Sequence, residues 1–485
     1  MENKSLTNKT IKGVGWNTLD KLLNYGISFI VSVVLARILS PDEYGLIGII
    51  LIFTGVFNTI LDGGLQTALI RKNQVTDDEY CTVFYINIAL SIIFTLLLIS
   101  AAPYIAIYFN RVELTPLIRA MSSILIINAL SLTQQTKLTR NIDFKTQTKI
   151  TLISYTTSGI IGISLALLEY GVWALVAQQL TSRAFCTICL WLYNKWIPHL
   201  KFSFQSFRDL VGFSWYLLVA RIIDSIWTQL YQAVVGKYYT PAALGQYTRA
   251  NQYANLFSSS IGDVVLKVSL PVMSNIKDDN ERLLRAYKKI IKSTMFVTFI
   301  LMFGMIASAK SLILFLIGAK WIECIPMLQL ICLNVMLYPL HMININILIV
   351  QGRSDVQLYI QILKNIIAIV PIAVGVYTNI YWMIIGSVVV GWLSFFINSY
   401  YSGIKLNYSS LAQLKDILPS LIYAISVAIP VYIISLLGDN CFILFPIQLF
   451  VGLNMVIIIG EISKNEEYLF IKKLSAKTIS RLKNK

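Results

Sequence analysis

Long apolar runs dominate this chain and set its fold class. Runs such as YINIALSIIFTLLLISAAPYIAIYF and IIKSTMFVTFILMFGMIASAKSLILFLIG contain few or no charges. At about 1.5 Å rise per residue, each is long enough as a helix to cross a hydrocarbon core of about 30 Å. Because 56% of all residues are hydrophobic and only 13% are charged, the composition does not suit a globular protein whose whole surface faces water. Membrane barrels would show short alternating strands, so we predict an all-α polytopic membrane protein.

Hydropathy predicts thirteen spans and leaves one stretch undecided. The undecided stretch, LGQYTRANQYANLFSSSIGDVVLKVSLPVM, is too polar to be assigned by hydropathy alone. The thirteen apolar segments lie near 13–36, 45–69, 82–109, 116–136, 150–168, 171–192, 211–236, 293–317, 325–350, 356–376, 380–400, 417–437 and 441–460. The first has no short apolar core followed by a cleavage site, so we expect it to stay as a helix.

An internal repeat decides the status of the polar stretch. LARILSPDEYG at Leu35–Gly45 returns as VVGKYYTPAALG at Val234–Gly245, and an offset of 200 places Pro241 on Pro41 without a gap. The same offset lays the polar stretch on the second span, GLIGIILIFTGVFNTILDGGLQTALI. The sequence therefore predicts about fourteen transmembrane helices, as two pseudo-symmetric six-helix bundles plus two C-terminal helices. The repeated loop itself is interpreted as an outer turn, in which proline starts the next helix.

The distribution of basic residues supports this count. With the N-terminus in the cytoplasm, 28 lysines and arginines fall on the inner side and four on the outer side. The predicted divisions are 1–200 and 201–405 for the two bundles, 406–460 for the two extra helices and 461–485 for a basic cytoplasmic tail. The net charge of +16 is accordingly explained by topology, and nucleic acid is not expected as a partner.

Charged residues inside the spans mark a candidate cavity. The repeat offset places Arg221 on Lys21 and Asp224 on Asn24, so a pseudo-two-fold axis along the membrane normal would put Lys21 and Arg221 on opposite walls. Asp20 and Asp224 lie next to these cations and would keep them charged. The alternative is a pair of structural salt bridges between helices.

The polar eighth helix adds further candidates. Several of its amides and hydroxyls recur at a spacing of i, i+4 and i+7 or i+8, which is one helix stripe, and lipid exposure would leave such groups unpaired. We expect this helix to line the cavity with Arg249, Asn251, Gln252, Asn255, Ser258 or Ser259, Asp263 and Lys267.

No catalytic, metal or cofactor site is predicted. Transport would instead be coupled to a proton or sodium gradient or to the membrane potential, with Asp20, Asp224 and His341 as the coupling-ion candidates. The alternative for His341 is a hydrogen-bonded packing residue. A basic, hydrogen-bonding cavity open to lipid suits an amphiphile with an anionic, sugar-bearing head, and the two extra helices would extend a groove for its tail.

The N-terminal segment GVGWNTLDKLLNYGISFIVSVVLARILSPDEYGLIG, together with DGGLQTALIRK, resembles the multidrug/oligosaccharidyl-lipid/polysaccharide exporter superfamily. Within it, the Wzx-type branch of oligosaccharide-lipid flippases is the most similar. The resemblance implies alternating access that moves undecaprenyl-pyrophosphate-linked repeat units from the cytoplasmic to the outer leaflet of the bacterial inner membrane, for lipopolysaccharide or capsule export. It also implies membrane lipids, a polysaccharide polymerase and the chain-length machinery as partners.

Three other functions remain open on the sequence. A drug or cation exporter of the same superfamily is disfavoured because the bases inside the spans outnumber the acids. A peptidoglycan-precursor flippase is harder to exclude, since its substrate also carries a diphosphate. A membrane polymerase, ligase or glycosyltransferase is disfavoured because the predicted outer loops are short and hold no paired carboxylates, phosphate loop or nucleophile triad.

Overall fold

A computed structural model describes residues 26–62, 64–72, 74–141, 143–438 and 440–473, and no strand occurs within these ranges. The described part of the first helix, α1, is Gly26–Ile38. The helices that follow are α2 (Pro41–Asp62), α3 (Leu65–Arg71), α4 (Asp77–Tyr108), α5 (Leu114–Arg140), α6 (Phe144–Leu167), α7 (Val172–Asn194), α8 (Phe204–Tyr238), α9 (Pro241–Ser274), α10 (Asn280–Leu316), α11 (Cys324–Val335), α12 (Tyr338–Val350), α13 (Ser354–Ile367), α14 (Ile369–Tyr377), α15 (Ile380–Gly403), α16 (Ser410–Ser435) and α17 (Cys441–Ser463).

Eleven helical segments of the described chain are long and apolar enough to cross a membrane. They include α9, so the polar stretch is confirmed as a helix of spanning length. Helix α7 is not among the eleven, although it has 23 residues, because Gln178, Gln179 and Arg183 lower its hydropathy. The all-α polytopic fold is confirmed. The predicted count of about fourteen also holds, since three helix pairs, α2–α3, α11–α12 and α13–α14, each occupy one predicted span.

Two spans that the sequence analysis reads as continuous are broken in the structure. The span near 325–350 is interrupted between α11 and α12, and Pro339 is the second residue of α12. Proline has no N–H to donate to the carbonyl four residues earlier, which here belongs to Val335. The Ser258 hydroxyl of α9 donates to that carbonyl instead. The second break separates α13 from α14 at Ala368, three residues before Pro371.

The two repeated turns begin their helices in the same way. Pro41 is the first residue of α2, and the Ser40 N–H and hydroxyl both donate to the Glu43 carboxylate, at 2.6 and 2.8 Å. In the second copy Pro241 is the first residue of α9, and the Thr240 hydroxyl accepts the Ala243 N–H at 3.1 Å. Each turn therefore has an N-cap hydroxyl followed by proline, which confirms its predicted role in starting a helix.

The same turns pack against each other reciprocally. Gly45 faces the backbone of Pro241, and Gly245 faces the backbone of Pro41, so closely that a Cβ on either glycine would overlap the opposite carbonyl. In a contact with two-fold symmetry, each surface meets its own counterpart. This reciprocity is what a repeat with an offset of 200 predicts.

The chain divides into two compact units, with the boundary between Gly245 and Gln246. Unit 1 holds α1 to α8 and the start of α9, and unit 2 holds the rest of α9 and α10 to α17. In unit 1, α4 packs on α5 and α6 packs on α7. In unit 2 the most extensive contact between two helices is that of α10 with α16. The predicted bundle boundaries at residues 200 and 405 follow the repeat and stay a prediction.

Candidate functional site

A polar cavity of about 200 Å³ lies within unit 1, among α2, α5, α6 and α7. Its polar lining is mostly primary amides with one guanidinium, and we call it the amide cavity. The residues around it are Leu51, Thr54, Gly55, Asn58, Ile124, Asn128, Tyr155, Gln178, Gln179, Ser182 and Arg183.

Hydrogen bonds between helices fix the walls of the amide cavity. The Asn128 amide of α5 donates to the Asn58 side chain of α2 at 2.7 Å. Helix α7 lies along α5 because Thr187 and Trp191 each donate to an α5 carbonyl at 3.0 Å. Since Arg183 precedes Thr187 by one turn, the stripe of α7 that faces α5 continues to Arg183 at the cavity.

Three charged groups meet beside this cavity. The Asp62 carboxylate at the end of α2 interacts electrostatically with the guanidinium groups of Arg183 and Arg221. None of the three forms a direct ion pair within the described part of the chain. Asp62 has protein on most sides, yet its side chain is exposed, as expected on the wall of a cavity. Helix α8, which carries Arg221, is held to α2 one turn away by a hydrogen bond of 3.1 Å from Thr59 to Ser225.

An apolar cavity of about 570 Å³ also lies within unit 1. Helix α2 lines both cavities, since Ile60 is two residues from Asn58 of the amide cavity. Helix α8 lines the apolar cavity only, with Leu218 one turn from Arg221. The apolar cavity is lined by Ile60, Leu65, Tyr85, Ile86, Ala89, Leu90, Phe202, Phe207, Trp215 and Leu218.

Of the predicted residues of the first and seventh spans, three lie outside the described residues: Asp20, Lys21 and Asn24. Their partners in the second half are described, and the side chains of Arg221 and Asp224 are both exposed on α8. The opposition of Lys21 and Arg221 across one cavity therefore stays a prediction.

Arg249 of α9 has well-defined partners inside unit 2. Its side chain is only 4% exposed, donates to Gln252 at 2.6 Å and lies over the Trp321 ring at 6.0 Å. The hydrogen bond lies within α9, and the ring contact joins α9 to the segment between α10 and α11. The predicted contact of Arg249 with substrate is not observed and stays a prediction.

The remaining predicted residues of α9 separate into two sets. Asn255 donates to the Asn251 side chain at 2.8 Å, and Ser258 is buried against α11. By contrast, the side chains of Gln252, Ser259, Asp263 and Lys267 are all exposed. These four recur at i, i+7, i+11 and i+15, so they share one accessible stripe of α9.

His341 of α12 lies inside unit 2 against α15. Its Nδ1 is 3.0 Å from the Asn398 side-chain nitrogen, and Lys364 of α13 interacts with it electrostatically. This hydrogen bond matches the packing role that was weighed against ion coupling. Its part in coupling stays a prediction.

Asp62 and Arg183 were not among the site residues predicted from the sequence. The signal for Arg183 was present in the sequence, because Gln178 and Gln179 precede it on the same apolar helix. Asn58 and Asn128 gave no such signal, since each is a single amide in an otherwise apolar run.

A third cavity, of about 260 Å³, is apolar and belongs to unit 2. It lies among α9, α10, α16 and α17 and is lined by residues such as Phe257, Leu301, Val431, Phe445 and Leu453. The two helices that follow the repeat therefore form one of its walls.

Comparison with known proteins agrees with this architecture. The succinoglycan biosynthesis transport protein ExoT of Rhizobium meliloti is 28% identical over 67% of this chain and 66% of its own length. The teichuronic acid biosynthesis protein TuaB of Bacillus subtilis is 24% identical over 73% of this chain and 74% of its own. The lipopolysaccharide biosynthesis protein WzxC of Escherichia coli is 23% identical over 76% of each chain. This chain thus matches about two thirds to three quarters of these relatives' length.

Solved structures show the same fold. The lipid II flippase MurJ in an inward closed conformation superposes with a TM-score of 0.74 at 15% identity, covering 92% of this chain and 98% of that one. An inward-facing MATE-family multidrug transporter of the MOP superfamily gives 0.62 at 14% identity over 81% and 96%. The family model described as polysaccharide biosynthesis protein matches residues 34–326, and the chain belongs to this family.

Proposed function

We propose that this protein is a flippase that moves undecaprenyl-pyrophosphate-linked oligosaccharide units from the cytoplasmic to the outer leaflet, by alternating access, during the synthesis of a surface polysaccharide. The family and the relatives named for succinoglycan, teichuronic acid and lipopolysaccharide biosynthesis support the pathway. The MurJ-like and MATE-like fold supports a transport mechanism in place of covalent chemistry.

The observation that carries the proposal is that unit 1 holds both a polar and an apolar cavity. One is lined by amides and a guanidinium, the other is apolar, and α2 lines both. A small hydrophilic solute would make no favourable contact with the apolar cavity. A simple lipid would form no hydrogen bonds with the amides. A sugar head on a long hydrocarbon tail matches both.

Within this mechanism the basic groups bind the diphosphate. Arginine donates in a planar fork that suits phosphate oxygens, and Arg221 and Lys21 are the groups we assign to it. The exposed stripe of Gln252, Ser259 and Asp263 on α9 would hydrogen-bond the sugars. The apolar cavity beside α16 and α17 supports a groove for the lipid tail.

Release in the outer leaflet requires a driving force. One charge that crosses a membrane potential of about 100 mV contributes about 2.3 kcal/mol, and binding and release of a proton or sodium ion at Asp20, Asp224 or His341 would couple transport to the gradient of that ion. The protein would reside in the bacterial inner membrane with both termini in the cytoplasm, where a polymerase and chain-length proteins act on its product.

The test is complementation of a strain that lacks a known oligosaccharide-lipid flippase, followed by reconstitution in liposomes. Surface polysaccharide should return in the cells, and a fluorescent lipid-linked oligosaccharide should become accessible in the opposite leaflet of the liposomes. Formation of a longer or transferred glycan would indicate an enzyme. Rescue of a peptidoglycan-precursor flippase mutant, without rescue of polysaccharide export, would indicate the sister transporter.

A further inference from the structure

Most polar side chains of the amide cavity have no partner in the described part of the chain. Asn58 and Asn128 bond each other, but the side chains of Gln178, Gln179, Ser182 and Arg183 make no hydrogen bond or ion pair within residues 26–62, 64–72, 74–141, 143–438 and 440–473. Arg183 has the longer-range attraction of Asp62. The cavity therefore presents several free donors and acceptors to whatever occupies it.

Such groups are expensive at membrane depth unless something satisfies them. Helices α6 and α7 are tied together closely, and a Cβ added at Gly162 of α6 would lie only 2.7 Å from the Gln178 Cβ. The helices therefore approach each other where small residues permit it, and they leave the amides facing the cavity. A packing role would have favoured pairing among these amides. Their unpaired state favours an external partner, either water or a ligand.

The size of the cavity limits the ligand. About 200 Å³ corresponds to roughly six or seven water molecules at about 30 Å³ each. It falls below the range of about 300–1,000 Å³ that is usual for drug-sized ligands. A complete oligosaccharide does not fit, whereas a single sugar ring does.

The chemistry of the lining points the same way. A primary amide donates and accepts at once, which matches neighbouring hydroxyl groups on a sugar ring. Tyr155 adds a ring and a hydroxyl to the same wall. Arg183 at the margin donates only, and its forked guanidinium prefers an anionic oxygen group.

We propose that the amide cavity is a recognition subsite for one sugar residue of the transported head, with Gln178 and Gln179 on its hydroxyls and Arg183 on an adjoining anionic oxygen group. This inference rests on the proposed flippase function and adds a determinant of glycan specificity to it. The anionic group belongs either to a carboxylated sugar or to the diphosphate that links the first sugar to the lipid.

Binding to purified full-length protein in nanodiscs of neutral phosphatidylcholine tests the subsite. The probes are glucose, glucuronate and inorganic pyrophosphate, and the readouts are calorimetric titration and the shift in melting temperature. Gln179→Leu removes an amide at nearly constant volume, and it avoids Gln178, whose stem packs against α6. Arg183→Gln removes the charge, and Arg119→Gln is the matched control, an exposed in-span arginine of α5 away from the cavity.

The subsite predicts that Gln179→Leu weakens sugar binding by about tenfold, while Arg119→Gln binds like the wild type. If glucuronate binds more tightly than glucose and Arg183→Gln removes the difference, the anion is a sugar carboxylate. If pyrophosphate binding depends on Arg183 and glucuronate gains nothing over glucose, the anion is the diphosphate. Equal binding of sugars by the wild type and Gln179→Leu, or no binding at all, would overturn the subsite.

Complementation separates this result from the flippase function itself. If the wild type exports no polysaccharide, the proposed flippase function is contradicted. The subsite alone is contradicted if the wild type exports polysaccharide and the Gln179→Leu variant transports repeat units of different sugars at the same relative rates as the wild type. The expected result is a changed preference among repeat units, with the variant present in the membrane at the wild-type level.

Discussion

The reciprocal contact of the two repeated turns can be tested by adding one methyl group. In Gly45→Ala the new Cβ would lie 1.8 Å from the Pro241 carbonyl oxygen, whereas close carbon–oxygen contacts are about 3.3–3.6 Å long. The turns must therefore separate by roughly 1.5 Å. Overpacking of this kind costs about 1–3 kcal/mol. That corresponds to a shift of about 5–150-fold toward conformations in which the two turns are apart.

Thiol labelling measures the separation. Leu244 is fully buried one residue before Gly245, so Leu244→Cys should react slowly with a membrane-impermeant maleimide in intact cells and several-fold faster when Gly45→Ala is added. The same chain without Leu244→Cys gives the background from the native cysteines. Gly304→Ala on α10 is the control, since nothing lies within 4 Å of its added Cβ. If Leu244→Cys reacts no faster with the maleimide in the Gly45→Ala background than in the Gly304→Ala background, the contact between the turns does not protect residue 244, and the argument from that contact is wrong.

Three further predictions concern charge and buried hydrogen bonds. Lys21→Ala and Arg221→Ala should each reduce surface polysaccharide at unchanged protein abundance, because an anionic head loses a cation, and normal export by both would contradict the cavity assignment. Arg249→Gln should lower the free energy of unfolding of the purified protein by about 1–3 kcal/mol, since a buried hydrogen bond and a ring contact in unit 2 are lost; an unchanged melting temperature would refute its packing role. Tyr287→Phe should cost a similar amount, because the buried Tyr287 hydroxyl joins α10 to α12 and α15, whereas Tyr400→Phe at an exposed tyrosine should melt like the wild type.

Features that depend on neighbouring residues were predictable from the sequence. Serine or threonine followed by proline favours the start of a helix, so the turns at Pro41 and Pro241 could be identified and aligned. The alignment then made α9 a span, although its hydropathy was ambiguous. The all-α fold followed from apolar length alone.

Features that depend on distant residues were not predictable. Asn58, Asn128 and Gln178 are separated by at least 50 residues in the chain, and only the packing of α2, α5 and α7 brings them to one cavity. Ser258 illustrates the opposite outcome. Its position on a polar stripe favoured a cavity role, but the Pro339 ring leaves a carbonyl of α11 without its helical partner, and the Ser258 hydroxyl bonds to that carbonyl.

The arrangement of charge in unit 1 has a consequence for the transport cycle. Asp62 attracts both Arg183 and Arg221 without a direct ion pair, so the guanidinium groups are held near an acid but keep their donors for another anion. A close ion pair would have to be broken before the guanidinium could donate to the incoming diphosphate. Two cations with no acid nearby would bind the diphosphate too tightly to release it. One acid within electrostatic range of two arginines lowers their affinity for an anion while leaving the net charge of the three groups positive, which suits the capture and release of the anionic head that we propose as substrate.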